Sequence, residues 1–250
     1  MSLFDHVEML QRDRPWGRFL DAGTGVNSSL WSTGLTTESW TGVTAAPGHA
    51  DQVRKVVGAR FRPQDRLVLG NWTDPNLLQG EVHDTVVADY LIGAVEGFAP
   101  YFQQSLLRRL RPMTGRRLYV IGLDPYVVGP AETDEARMVR RIGRFRDAVL
   151  MLADETPYRE YPAEWVLNAL AGGGFKVLSA RRFPNRYKAK WVNGQLDMTL
   201  RRLPHLADQT LAQNFRETAE VIRKQALELC EARRGLRHGA DYVIACEPVT

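Results

Sequence analysis

The chain has 250 residues, 44% hydrophobic and 25% charged, which fits one globular domain with room for insertions. Its net charge of +4 permits an acidic metabolite or nucleic acid as partner and requires neither. No apolar run approaches membrane-spanning length, no signal-peptide core opens the chain, and Cys230 and Cys246 lack metal-ligand spacing, so they read as reduced thiols of a cytoplasmic protein.

Residues 1–15 predict an amphipathic helix, with Leu3, Phe4, Val7, Met9 and Leu10 on its apolar face and Arg14-Pro15 at its end. A short buried strand over residues 16–20 leads into Asp21-Ala22-Gly23-Thr24-Gly25, and a helix is expected over 28–35. A strand that turns through Gly-x-Gly into a helix makes a ligand cradle. Its glycines admit close approach of backbone, and the helix start presents unpaired N–H groups. Asp21 closes the strand, where a carboxylate can accept from loop amides or hold a cationic group.

A second strand is expected over 40–45, a helix over 50–57 and a third strand over 66–70, followed by Asn71-Trp72-Thr73-Asp74. Residues 83–89 predict a fourth strand, apolar and closed by Asp89, with His83 as a surface residue at its exposed start. Residues 95–110 predict one strong amphipathic helix. Arg108, Arg109 and Arg111 read as solvated charges at its C-terminus. A fifth strand over 116–122 ends at Asp124-Pro125-Tyr126.

A helix over 131–153 carries Arg137, Arg140, Arg141, Arg144 and Arg146 on one broad basic face. Another over 163–170 stops at Gly172-Gly173-Gly174, and a sixth strand is expected over 175–180. Segment 181–202 is basic, with Arg181, Arg182, Arg186, Lys188, Lys190, Arg201 and Arg202 against Asp197, and it carries Tyr187 and Trp191. Helix follows after Asp208, and a last strand is expected over 241–246.

In this order the chain resembles the class I S-adenosylmethionine (SAM) methyltransferase superfamily. Asp21-Ala22-Gly23-Thr24-Gly25 is similar to its motif I, and Asp89 stands where its motif IV ends strand four. Ala171-Gly172-Gly173-Gly174-Phe175-Lys176-Val177 is similar to the Gly-Phe-x-Val run that introduces strand six. The resemblance implies an α/β fold: a doubly wound, mostly parallel sheet with an antiparallel last strand. It implies a single domain over 1–250, with insertions 127–160 and 181–238 as the substrate cover. It also implies SAM as cofactor, with Asp21, Gly23, Thr24 and Gly25 around its amino-acid end. The family's ribose-binding acid after strand two is missing, and Thr44 stands in its place. Asn71 and Trp72 have the chemistry for the adenine; a turn residue and a core indole are the alternative reading. Asp89 and Tyr90 would edge the transferred methyl, unless Asp89 caps the next helix. His205 is a further candidate base should the acceptor be a hydroxyl.

Asp124-Pro125-Tyr126 resembles the Asp-Pro-Pro-Tyr of amino-group methyltransferases but follows strand five rather than four, so that role does not transfer. Tyr126, Arg186, Tyr187, Lys188 and Trp191 are the candidate acceptor contacts, suited to a small anionic metabolite. No metal-ligand cluster is visible. A nucleic-acid or protein acceptor ranks second. A nicotinamide oxidoreductase ranks third, since Ser28 replaces the third glycine and no acid ends the second strand. Oligomeric state stays open, a homodimer included.

Overall fold

The computed structural model describes residues 1–249. Its strands are β1 (Arg18–Asp21), β2 (Ser39–Thr44), β3 (Arg66–Leu69), β4 (His83–Asp89), β5 (Thr114–Leu123), β6 (Phe175–Tyr187) and β7 (Leu236–Pro248). Its helices are α1 (Leu3–Gln11), α2 (Val26–Ser32), α3 (Pro47–Val57), α4 (Leu91–Ala94), α5 (Gln103–Met113), α6 (Asp134–Leu152), α7 (Ala163–Gly172), α8 (Ala189–Leu200) and α9 (Gln209–Ala232). One sheet runs in the order β3-β2-β1-β4-β5-β7-β6. β1 pairs in parallel with β2 and β4, β2 with β3, and β4 with β5. The sheet is mostly parallel, with antiparallel last strands.

The chain divides into two compact units. The first comprises Met1–Leu123, Glu160–Arg182 and the chain from Tyr242 on; the second comprises Asp124–Arg159 and Phe183–Asp241. In the first unit the central strands are apolar because both faces are covered. Leu20, Val86, Ala88, Leu118 and Val120 are all fully buried, together with Leu106, Leu107 and Leu110 of α5 and Val166 and Leu170 of α7. β6 largely alternates between part-buried and exposed positions, as a half-covered edge strand does, while β3 at the other edge keeps only Leu67 and Val68 part-buried. The second unit has its own core: Val149, Leu203, Leu206 and Ala212, packed by Phe145, Ala153, Leu200 and Phe215. Its long helices start on side-chain caps. Thr133 accepts from the Ala136 amide, and Asp208 accepts from the amides of Thr210 and Leu211.

Several expectations are corrected. The helix expected over 95–110 is instead a 3₁₀ turn at Val95–Gly97, a turn through residues 98–102, and α5 from Gln103 on. Pro100 lacks a donor, Tyr101 turns left-handed at φ 64, and the buried Glu96 carboxylate gathers the Tyr101 amide and the Gln103 side chain. β6 runs on to Tyr187 through Pro184, which an edge strand tolerates. β7 begins at Leu236 although Gly239 lies within it at φ 68. His83 is only 4% exposed, because β4 lies between β1 and β5 and His83 pairs opposite Thr114. Burial pushes its pKa down to about 4. Nor are the arginines near the end of α5 all solvated. Arg109 donates to the Leu77 carbonyl at 3.0 Å, and Arg111 donates to the Gly174 and Val249 carbonyls.

Candidate active site

Strand order reverses between β1 and β4, with β2 and β3 on one side and β5 on the other. Open α/β sheets hold ligands at such a switch point, beyond the carboxyl ends of the strands. The Gly-x-Gly loop leaves β1 at this place. Its backbone is tied from both sides: the Ala22 amide donates to Val87 O at 2.8 Å, and the Thr24 amide to Val43 O at 2.7 Å. The Gly25 amide donates to Ser28 Oγ at 3.0 Å, which starts α2. Gly23 is required by packing, because a Cβ there would meet Leu91 Cδ1 at 2.8 Å. Gly25 differs: a Cβ there meets no atom within 4 Å, so this rim of the loop is open.

Asp21 lies beneath the loop, 0% exposed. Neither carboxylate oxygen makes a hydrogen bond of good geometry, and the buried Thr24 hydroxyl makes none either. Burial pushes the Asp21 pKa up to about 6, while the nearby Thr24 and Ser28 hydroxyls and the Gly23 amide pull it back. Near neutral pH the loop thus sits over a concealed and mostly ionised carboxylate.

The remaining residues expected here lie at the same end of the first unit. Thr44 ends β2, and its Oγ1 accepts from the Ala46 amide at 3.3 Å. Asn71 fastens its own loop: its Nδ2 donates to Phe98 O at 2.8 Å, and its Oδ1 accepts from the Thr73 amide and hydroxyl. Trp72 is only 4% exposed, within the core, and its Nε1 donates to Ala22 O at 2.7 Å. At this exposure the indole belongs to the core under the loop and offers no open stacking platform. Asp89 ends β4 opposite Ile121, and Tyr90 follows at φ 49 with its amide on Ile121 O. A left-handed tyrosine costs about 1 kcal/mol or more, so the turn is held by its surroundings.

Glu160 escaped the sequence reading. Its carboxylate lies against Gly93 of α4, where an added Cβ would meet Glu160 Oε2 at 2.3 Å. It belongs to a connection before α7, and no local pattern marks it. Only the fold brings it to the helix that follows Asp89 and Tyr90.

In the second unit the expected aromatic residues do meet. The Tyr187 and Trp191 rings lie 4.2 Å apart, and Tyr126 lies 6.1 Å and 6.2 Å from them. Tyr126 is 5% exposed, and its hydroxyl accepts from Arg146 Nη1 at 2.6 Å. Arg146 also donates to Gln195 and pairs with Asp147. His238 Nε2 lies 2.9 Å from Tyr126 O. Arg186 and Lys188 have a structural task, since both donate to the Arg234 carbonyl just past the end of α9.

No protein-family model and no curated protein matches the chain. Solved structures do. A candidate methyltransferase of Bacillus halodurans C-125 aligns over 99% of this chain and 100% of its own, with TM-score 0.59 at 14% identity. The YcgJ protein of the Bacillus subtilis structure aligns over 98% and 97%, with TM-score 0.58 at 12% identity. The cyclopropane synthase MmaA2 from Mycobacterium tuberculosis aligns over 97% and 83%, with TM-score 0.55 at 17% identity. At such identities the likeness establishes the fold, which is the methyltransferase-like α/β fold with helical insertions.

Proposed function

We propose that the chain is a SAM-dependent methyltransferase acting on a small, anionic metabolite. The cofactor half rests on one observation: the buried Asp21 carboxylate under the Gly23–Gly25 loop at the reversal of strand order. SAM, when bound, supplies a methyl already activated on a sulfonium. The donor set fits such a cation, with a concealed negative charge under the loop, the Thr24 hydroxyl beside it and an open rim at Gly25. Likeness in fold to the mycolic acid cyclopropane synthase CmaA1, whose structure was solved with the demethylated product SAH, supports the same cofactor. A nicotinamide enzyme is disfavoured, because its six-strand order continues in parallel past strand five, whereas here β7 intervenes between β5 and β6.

In this reading Thr44 approaches the ribose through its hydroxyl, and Asn71 approaches the adenine with its remaining amide N–H. Trp72 holds the loop from beneath. Asp89 and Tyr90 edge the reacting centre, where the protein's work is to keep the acceptor in line and exclude water. Calorimetric titration tests the cofactor. SAM and SAH should bind and NAD should not; heat with NAD and none with SAH overturns the reading.

The acceptor half rests on side-chain chemistry in the second unit. Tyr187 and Trp191 present aromatic surface backed by the buried Tyr126, and Arg186 and Lys188 retain donors beyond those given to Arg234. Replacing Arg186 and Lys188 together by Ala should raise the acceptor KM roughly tenfold and leave SAM affinity unchanged, since a lost charged hydrogen bond is worth about 1.5–3 kcal/mol. An unchanged KM would mean that the pair serves only the end of α9, and the anionic acceptor would be abandoned. Cys230 and Cys246 are both buried and unpaired, which supports a cytoplasmic setting. Among the described residues no helix is long and apolar enough to cross a membrane.

A further inference from the structure

We propose that the groove between α6 and α9 binds a short multivalent anion of the phosphate class. Arg137, Arg140, Arg141 and Arg144 line a groove of about 450 Å³. They stand at i, i+3, i+4 and i+7, on one face of α6. Thr218 and Ile222 line the groove from α9, and Phe145 adds apolar surface. No carboxylate is among the lining groups.

Among the described residues, Arg137 alone of the four is neutralised nearby, by Asp134 at 2.6 Å. Among the described residues the other three have uncharged partners. Arg140 donates to Gly129 O at 3.0 Å, Arg141 to Gln225 Oε1 at 2.8 Å and Arg144 to Val127 O at 3.1 Å. Each bond fixes the direction of a guanidinium while using one of its five donors. Like charges on neighbouring turns repel. An anion along the stripe relieves that repulsion, and none of the lining side chains can.

Size separates a short anion from a polymer. Seven residues of helix rise roughly 10 Å, about the length of a linear triphosphate. A nucleic acid needs a longer track, with one phosphate charge per ~1.7 Å of duplex. The part-buried Phe145 is the apolar surface that a base or alkyl group attached to the phosphates would meet. All lining residues belong to the second unit and none is part of the Gly-x-Gly loop. The proposal therefore stands independently of methyl transfer.

The test is calorimetry on the full chain with sodium tripolyphosphate, ATP and inorganic phosphate at one ionic strength. Tripolyphosphate should bind roughly tenfold or more tightly than inorganic phosphate, because several charge-assisted bonds form at once. ATP binding more tightly than tripolyphosphate would identify an organic phosphate; equal binding would identify the inorganic chain. Replacing Arg140 and Arg144 together by Gln should weaken tripolyphosphate roughly tenfold and remove its effect on the melting temperature. Arg141→Gln gives up only the Gln225 bond. It keeps the test readable should the double variant fold poorly, and it should weaken tripolyphosphate in the same direction. Arg201→Gln, outside the groove, should change nothing. Wild-type affinity in Arg141→Gln and in the folded double variant overturns the proposal. So does tighter binding of a single-stranded RNA with a steeper salt dependence, which would assign the stripe to nucleic acid.

Discussion

Asp21→Asn should make the protein more stable and the cofactor bind less well. The carboxyl pKa is raised from 3.8 to about 6 by complete burial. Between those values the folded state keeps the proton and the unfolded state has lost it. The stability given by the neutral form is complete below 3.8 and is lost as pH rises through about 6. At pH 7 the charged group therefore costs about 3 kcal/mol, from roughly two pH units at 1.36 kcal/mol each. Asparagine removes the charge, so the melting temperature should rise by roughly 6–12 °C for a chain of this size. SAM affinity should fall roughly tenfold or more with the loss of the attracting charge. Wild-type SAM affinity should be level above about pH 6 and decline below it, because the bound cation favours the ionised carboxylate, while Asp21→Asn should show no such slope. A variant with unchanged melting and unchanged SAM affinity would remove Asp21 from the site.

His83 adds an opposite trend. Its pKa is held at about 4 against the ordinary 6.5, mainly by burial. Its stability is present above 6.5 and is lost as pH falls through about 4. The shift is again worth about 3 kcal/mol. In the wild type the two trends overlap between about 4 and 6 and largely offset. In Asp21→Asn only the His83 trend remains, so the variant's own stability should fall with acidification across that range, and its gain over the wild type should shrink as the wild-type Asp21 takes up its proton.

Trp72→Ala should be the most damaging single change in the candidate site. A buried aromatic truncated to Ala costs roughly 3–5 kcal/mol through lost transfer energy and the cavity left behind. The Ala22 carbonyl also loses the indole donor at 2.7 Å. Melting should drop by roughly 10 °C or more. Trp72→Phe keeps most of the apolar volume but still orphans that carbonyl, at about 1–3 kcal/mol. It should loosen the glycine loop and weaken SAH at modest cost in melting. If Trp72→Ala instead melts like the wild type and loses SAH, the indole is a stacking surface and the buried placement is refuted.

Much of the fold was legible because its signals were local. β4 was readable because the β-branched and apolar residues Thr85, Val86, Val87 and Ala88 run into a closing carboxylate at Asp89. The Gly-x-Gly turn was readable because few other functions need two glycines after a strand. The helix over 95–110 was misread because its apolar spacing continues across Pro100, and spacing says nothing of a missing donor. Exposure was less legible still. His83 looks like a strand-start surface residue until β5 pairs beside it, and Trp72 offers the same indole to a ligand or to a core. Glu160 could not be found at all, since its approach to Gly93 depends on a contact between residues 67 positions apart.

The placement of β7 has a consequence for the order of folding events. β6 lies at the edge and reaches the rest of the sheet only across β7. β1, β2, β4 and β5 can zip together from the first half of the chain, but β6 must wait for residues synthesised after 236. Bringing β7 in closes a long loop, and loop closure costs entropy before any contact rewards it. A nascent chain halted before 236 thus carries β6 with its backbone donors and acceptors unsatisfied by the sheet. Arg181, Arg182 and Pro184 along that strand are the kinds of residue that discourage another chain from pairing there in the meantime.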